Sequence, residues 1–291
     1  MDKETSKLKL LFIVNPGSGV GEINFNELVT AYFTDSHHHF ELYELPKNCA
    51  LEKIKAIIHK SKADRVIAVG GDGTLKMVSE CLLQTDTPIG IIPTGSANGM
   101  ARELGIPLEI NEALNVAVNG RPKKIHATMV NGELCIHLAD IGFNAYLVKK
   151  FDNISHRGML GYAKAALTAL WTHNKMHVEF KIKDQIIRSQ AAMVVIANAT
   201  MYGTGVKINP EGKLDDDLFE IILVKKYSVM EILKLRFTNL PFNPKNIESF
   251  QTKSLTIKTT RRVHFQVDGE YIGKVTGIKA HIIEDAINII N

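Results

Sequence analysis

At 291 residues, 45% hydrophobic and 23% charged, the chain is long enough for two cores, and its composition excludes a disordered or fibrous protein. Lys and Arg number 35 against 31 Asp and Glu, a net charge of +4, which suits an anionic ligand or membrane surface and is too small to point to nucleic acid. Cys49, Cys81 and Cys135 are odd in number and lack CxxC spacing, so they read as reduced, mostly buried thiols of a cytoplasmic protein.

The first seven residues are charged, and the apolar run over 10–14 is too short for a signal peptide or a membrane span. A soluble protein is expected, with any membrane contact peripheral. No internal repeat or low-complexity tract interrupts the chain. Residues 10–15 form an apolar strand, and Phe25, Leu28, Val29 and Tyr32 follow at helical spacing. A strand over 40–45, a helix marked by Leu51, Ile54, Ile57 and Ile58, and a strand over 66–69 come next. Leu75, Val78, Cys81 and Leu82 then share a helix face, residues 88–93 form a buried strand, and Ala97, Met100, Ala101 and Leu104 mark a helix stopped by Gly105 and Pro107.

Repeated strand-then-helix order predicts a parallel sheet with helices on both faces, which binds ligands at the carboxyl ends of its strands. Asn15-Pro16-Gly17-Ser18-Gly19, Gly70-Gly71-Asp72-Gly73-Thr74 and Thr94-Gly95-Ser96-Ala97-Asn98 each follow a strand, so all three loops should meet at that edge. The glycines of GGDGT let backbone approach a phosphate chain closely, Thr74 is placed to cap the next helix, and Asp72 suits a magnesium ion held against the same phosphates. The first loop satisfies neither the Rossmann fingerprint nor a Walker loop and is, alone, equally consistent with a plain strand-to-helix turn.

From about residue 124 the pattern changes to antiparallel strands. Residues 125–130, the Asn131-Gly132 pair and residues 134–138 read as a hairpin with a type I′ turn. Val178, Phe180 and Ile182 alternate with polar residues, and further strands are expected over 193–197, 218–224, 255–258 and 263–267, with helices over 158–173 and 229–237. Asp268-Gly269 is a second hairpin turn, and the strands over 278–283 and 286–290 fit either domain by periodicity.

At this point the chain resembles the diacylglycerol kinase catalytic family, which includes bacterial lipid kinases and sphingosine kinases. The resemblance rests on the three loops above, Asp140-Ile-Gly-Phe-Asn-Ala145, Tyr202-Gly-Thr-Gly205, Pro210 with Lys213-Leu-Asp-Asp-Asp-Leu218, and Val267-Asp-Gly-Glu270. It implies an α/β protein with a phosphofructokinase-like parallel-sheet nucleotide domain over 1–123, to which residues 278–291 return, and an antiparallel β-sandwich domain for the lipid over 124–277. It further implies an active site in the cleft between the domains, and the short bacterial form of the family without flanking zinc-binding modules.

The resemblance also implies roles. Asn15, Pro16, Gly17, Ser18, Gly19, Gly70, Gly71, Gly73, Thr74, Ser96 and Asn98 would contact ATP, with Asn98 as an amide donor. Asp72 would support catalysis by holding Mg²⁺-ATP, directly or through water. Glu270 would be the general base for the lipid hydroxyl, with Asp268 as a partner carboxylate; the alternative is a solvated hairpin position. Lys213, Asp216 and Leu218 would supply a second, structural magnesium site from one acid and two carbonyls, against a plain acidic turn.

The chain departs from the family pattern at Gly99, usually Asp, at Ser96, usually Thr, and at Asp217, usually Gly. His37, His38 and His39 read as a strand start rather than a metal site. Trp171, with Leu167 and Leu170, suits core packing, with a lipid contact as the alternative. Lys149, Lys150, Arg157, Lys164, Lys225, Lys226, Lys234 and Arg236 would face either solvent or an anionic membrane. The expected protein is thus a cytoplasmic, peripherally membrane-associated ATP-dependent lipid kinase acting on an alcohol such as diacylglycerol. The alternatives are a soluble NAD kinase and a non-catalytic lipid- or nucleotide-binding regulator. The lipid, and whether the protein is a homodimer, are left open by the sequence.

Overall fold

A computed structural model describes residues 7–19, 24–151, 175–182, 185–202, 207–226 and 242–291. The helices expected over 158–173 and 229–237 lie outside the described residues, as do Arg157, Lys164, Leu167, Leu170, Trp171, residues 203–205, Lys234 and Arg236. The chain divides into two compact units, one of Met1–Ile125 with Asp285–Asn291 and one of His126–Glu284.

In the first unit, strand and helix alternate as β1 (Lys9–Val14), α1 (Phe25–Tyr32), β2 (His39–Glu44), α2 (Leu51–Ser61), β3 (Arg65–Gly70), α3 (Asp72–Cys81), β4 (Ile89–Pro93), α4 (Gly99–Glu103) and α5 (Ile110–Asn119). The strands are parallel in the order β2-β1-β3-β4, and beyond β4 runs the end of β14 (Glu270–Ile290), Ile289 beside Ile89. Helices on both faces explain why β1, β3 and β4 are buried almost throughout. Phe12 makes edge-to-face contacts with Phe25, Phe33 and Phe40, and the Asn24 side chain caps α1 by accepting from the Glu27 amide.

The periodicity reading above omits α5, although the signals are present. Glu109 caps it by accepting from the Glu112 amide at 2.8 Å, and Ala113, Leu114, Ala117 and Val118 bury one face. Ala117 brings α5 directly onto β4: a Cβ placed on Gly90 would meet the Ala117 Cβ at 2.8 Å. The Arg65 guanidinium donates to the carbonyls of Ala117 and Gly120, both at 3.1 Å, and satisfies the carbonyl end of α5. Chain progression reverses between β1 and β3, which makes the carboxyl edge between them the topological switch point.

The second unit is antiparallel. β5 (Pro122–Val130) runs into it and pairs with β6 (Glu133–Cys135) through Asn131 and Gly132, whose φ values of 53° and 91° are those of a type I′ turn. β7 (Leu138–Gly142), α6 (Phe143–Phe151), β8 (Met176–Ile182), β9 (Gln185–Ala191), β10 (Met193–Ala197), β11 (Phe219–Val224), β12 (Ile247–Thr252) and β13 (Ser254–Val267) follow, in sheet order β12-β11-β10-β7-β13-β14. β13 pairs with β7 through Phe265–Val267 and with β8 through Thr256–Thr259. Two pairings on one strand close a sandwich over the buried Phe180, Phe219 and Phe265.

Three expectations need correction here. Residues 255–258 and 263–267 belong to one strand, with a register shift where the polar residues 259–262 cross solvent. The last two expected strands are likewise the single β14. β9 and β12 were not expected, because both expose polar residues at alternate positions and carry few large apolar side chains.

The Gly90 contact gives a direct test of this packing. Gly90→Ala should destabilise the protein by about 1–3 kcal/mol, the scale of overpacking beside an immovable helix backbone. A urea midpoint equal to wild type would show that α5 does not sit on β4 as described.

Candidate active site

At the switch point the first unit brings the three strand-end loops together through hydrogen bonds between them. The Asn15 amide donates to the Val69 carbonyl at 2.9 Å and the Thr94 amide to the Gly70 carbonyl at 3.0 Å. Ser18 Oγ and Thr94 Oγ1 are 3.0 Å apart. A Cβ on Gly95 would come within 2.5 Å of the Gly71 Cα, and one on Gly19 within 2.7 Å of the Thr94 carbonyl oxygen. Backbone touches backbone at these points, so only glycine fits.

Asp72 is the first residue of α3 and joins two of the loops. Its Oδ2 accepts from the Gly99 amide at 2.9 Å and its Oδ1 from the Met100 amide at 3.0 Å, at the start of α4. Gly99 therefore serves here as a backbone donor. Each oxygen keeps a further lone pair for a cation or a water.

Several expected contacts are used internally. Asn15 accepts from the Gly17 amide at 3.0 Å and donates to Thr74 Oγ1 at 3.1 Å. Thr74 lies inside the first turn of α3 and is buried, so it does not cap that helix; Gly71 holds the cap position without a side-chain bond. Asn98, in the left-handed region with φ 51°, accepts from the Gly95 amide and donates to the Gly95 carbonyl, which closes the PTGSAN turn rather than offering an amide outward. Pro16, Gly17, Gly19, Gly73 and Ser96 are exposed, and Gly70 is buried beneath Thr74. What faces outward at this edge is exposed glycine backbone, the Ser96 residue and the N-terminus of α3, a surface suited to phosphate oxygens.

In the second unit, Glu270 is exposed and opens β14 directly after the Asp268-Gly269 turn. The Asp268 carboxylate is taken up by backbone. Its Oδ1 accepts from the amides of His137 at 3.0 Å and Leu138 at 3.1 Å, its Oδ2 accepts from the amide of Ile136 at 3.0 Å, and the Cys135 thiol lies at 3.5 Å from Oδ1. Lys213, Asp216 and Leu218 lie on the turn before β11. Asp216 Oδ1 accepts from the Leu218 amide at 3.3 Å, and the neighbouring Leu214 carbonyl accepts from the His126 amide. Asp217 does not adopt a positive φ; its carboxylate is ion-paired with Lys253 at 2.7 Å. Among the described residues no three of His, Cys, Asp and Glu gather as a metal-binding group. One carboxylate with main-chain carbonyls is nonetheless a hard oxygen set that suits magnesium.

Two acids in this unit carry more structure than their motifs revealed. Asp140 is fully buried and accepts from Asn144 Nδ2 at 2.6 Å, the Ala145 amide at 2.9 Å, Tyr202 Oη at 3.2 Å and Gln266 Nε2. Burial outweighs these bonds and pushes its carboxyl up to about 6. Glu220 is also buried and raised, chiefly by burial, and accepts from Asn209 Nδ2 at 2.6 Å and Gln251 Nε2 at 3.0 Å. An acid flanked by strand residues, as in Leu138-Ala-Asp140-Ile-Gly142, was the signal available for the first of these.

Comparison with known proteins places both units. Residues 9–130 match the model of the diacylglycerol kinase catalytic domain, and residues 138–291 match that of the YegS C-terminal NAD kinase beta sandwich-like domain. The chain belongs to the diacylglycerol kinase-like lipid kinase family. It is 28% identical over 215 residues to a protein named "Probable lipid kinase YegS-like" of Chromohalobacter salexigens, covering 71% of this chain and 69% of that protein. It is 27% identical over 222 residues to a diacylglycerol kinase of Bacillus subtilis, covering 74% and 73%. A crystal structure of a diacylglycerol kinase from Bacillus anthracis superposes with a TM-score of 0.76 at 21% identity, covering 99% of this chain and 98% of that one, and shares the fold.

Asp140 makes the stability of this chain depend on pH in an unusual direction. Its carboxyl is raised in the folded chain to about 6 from an ordinary 3.8, so between these values the folded state holds the proton that the unfolded state has lost. The contribution is present below about pH 4 and is lost as pH rises through 6. Relative to wild type, Asp140→Asn should therefore gain on the order of 2–3 kcal/mol between pH 4 and pH 7 in denaturant titrations. A difference independent of pH would show that Asp140 does not titrate in this window.

Proposed function

We propose that the protein transfers the γ-phosphate of ATP to the hydroxyl of a membrane lipid such as diacylglycerol. The observation that carries the reading is the switch-point edge, where Gly71 meets Gly95 and Asp72 holds the α4 amides, in a chain whose family is that of lipid kinases.

On this reading the backbone of residues 16–19 and 70–73 cradles the phosphates, and the N-terminus of α3 faces their charge. Magnesium, when bound, neutralises the phosphate oxygens; Asp72 would hold it through its remaining lone pairs, and Asp216 with the carbonyls of Lys213 and Leu218 would hold a second ion. Glu270 accepts the proton of the lipid hydroxyl as its oxygen bonds to the γ-phosphorus. The bond from that phosphorus to the β–γ bridging oxygen breaks, and ADP leaves. Action at a membrane surface as a peripheral protein is consistent with the described residues, among which no helix is long and apolar enough to cross a bilayer.

The test is incubation with radiolabelled ATP and a panel of lipid alcohols in mixed micelles, with NAD as a further acceptor. NAD is included because the model matched by the second unit is described as NAD kinase beta sandwich-like. Label in a phospholipid product is expected; label in NADP alone would overturn the lipid assignment. Within that assay Glu270→Gln should lower kcat about 100-fold or more with the KM for ATP unchanged, the scale of losing a general base. A variant with wild-type kcat would place the base elsewhere.

A further inference from the structure

We infer that Asp268 and Gln266 are positioning residues that clamp the turn carrying Glu270, an inference that rests on the role proposed above for Glu270. The turn is two residues long, with Asp268 at φ 51° and Gly269 at φ 86°, and Glu270 is the first residue beyond it, opposite Val267. Packing does not hold the tip: a Cβ added to Gly269 would have nothing within 4 Å. Hydrogen bonds from below must therefore fix the direction in which Glu270 leaves the turn.

Two sets of bonds do so. Asp268 donates its own amide to the Leu138 carbonyl at 2.9 Å, while its carboxylate sits on the consecutive amides of Ile136, His137 and Leu138. Three converging backbone donors hold the carboxylate and are themselves satisfied where β6 gives way to β7. On the other side, Gln266 Oε1 accepts from the Gly269 amide at 2.8 Å and Gln266 Nε2 donates to Asp140. Asp140 is itself fixed by the start of α6 through the Ala145 amide and Asn144. The turn is thereby tied to two acids, neither of which is exposed as Glu270 is. With its carboxylate engaged by backbone, the part of Asp268 is to orient its neighbour.

The clamp can be read first in the wild-type protein. Amides of Ile136, His137, Leu138 and Gly269 should exchange with deuterium at least about 100-fold slower than an open loop; exchange at the open-loop rate would overturn the inference. The second arm is a double-mutant cycle in the lipid kinase assay. Asp268→Asn keeps the overall shape but sets an NH₂ group against the Ile136 amide, and should lower kcat about tenfold with the KM for ATP unchanged. Added to Glu270→Gln, it should lower kcat by less than about twofold, since a misdirected carboxylate cannot be lost twice. Equal losses in both backgrounds, or no loss in wild type, would overturn the inference while leaving the base assignment intact. A wild-type rate for Glu270→Gln alone would overturn the base assignment and the inference with it. Should Asp268→Asn not fold, Gln266→Met enters the same cycle with the same expected outcomes.

Discussion

The carboxylate of Asp72, lodged on the amides of Gly99 and Met100, joins the loop after β3 to the helix after β4. A parallel sheet of order 2-1-3-4 guarantees only that the loops after β1 and β3 diverge at its carboxyl edge. To become a cradle they must be brought together and held with their backbones outward. Asp72 does this from one side. Asn15 does it from the other, through Thr74, and the Gly71–Gly95 approach sets how close the loops can come. Polar side chains of the motifs are thus spent largely on one another, and the ligand is left mostly backbone amides. That arrangement suits phosphate, whose oxygens accept from any donor and demand close approach more than a particular side chain.

The second unit uses the same device in a different architecture. Antiparallel strands leave turns whose direction is set by little besides their own hydrogen bonds. Here buried or half-buried acids supply the bonds: Asp140 of β7 to the start of α6, Glu220 to Asn209, and Asp268 just before β14 to the segment 136–138. Each would be costly if left unpartnered, and each gathers several donors. For Asp140 burial still prevails over its donors, which is why its carboxyl titrates near 6 rather than below 4. The cost is accepted at positions next to loops of the motifs Asp140–Ala145, Lys213–Leu218 and Val267–Glu270, where loop direction matters more than stability.

Much of this was legible in the sequence. The alternation of apolar runs with helical spacing over residues 10–104 gave the parallel sheet, and the position of each glycine-rich loop directly after a strand gave their convergence. The turn at Asn131-Gly132 was readable because few residues besides Asn and Gly adopt two successive positive φ values. What escaped was of two kinds. Strand β9 exposes most of its positions, so its alternation is weak, whereas α5 carries a cap and an apolar face that the periodicity reading passed over. The second kind was the direction of side chains: Thr74, Asn98 and Asp268 were read as facing ligand, metal or proton, whereas each turns toward backbone or a neighbouring loop. A one-dimensional pattern shows that a polar residue is placed at a loop; for Asp72 and Asp268 the direction depends on amides contributed 27 and 130 positions away, those of Gly99 and Leu138.

The claim on which the account turns is that a nucleotide triphosphate rests on this joined edge of the first unit. Hydrogen–deuterium exchange with and without MgATP reads it most directly. The account predicts slowed exchange on ATP addition for peptides covering residues 16–19, 70–74 and 94–99. Unchanged exchange in those three segments, with protection appearing elsewhere, would contradict it.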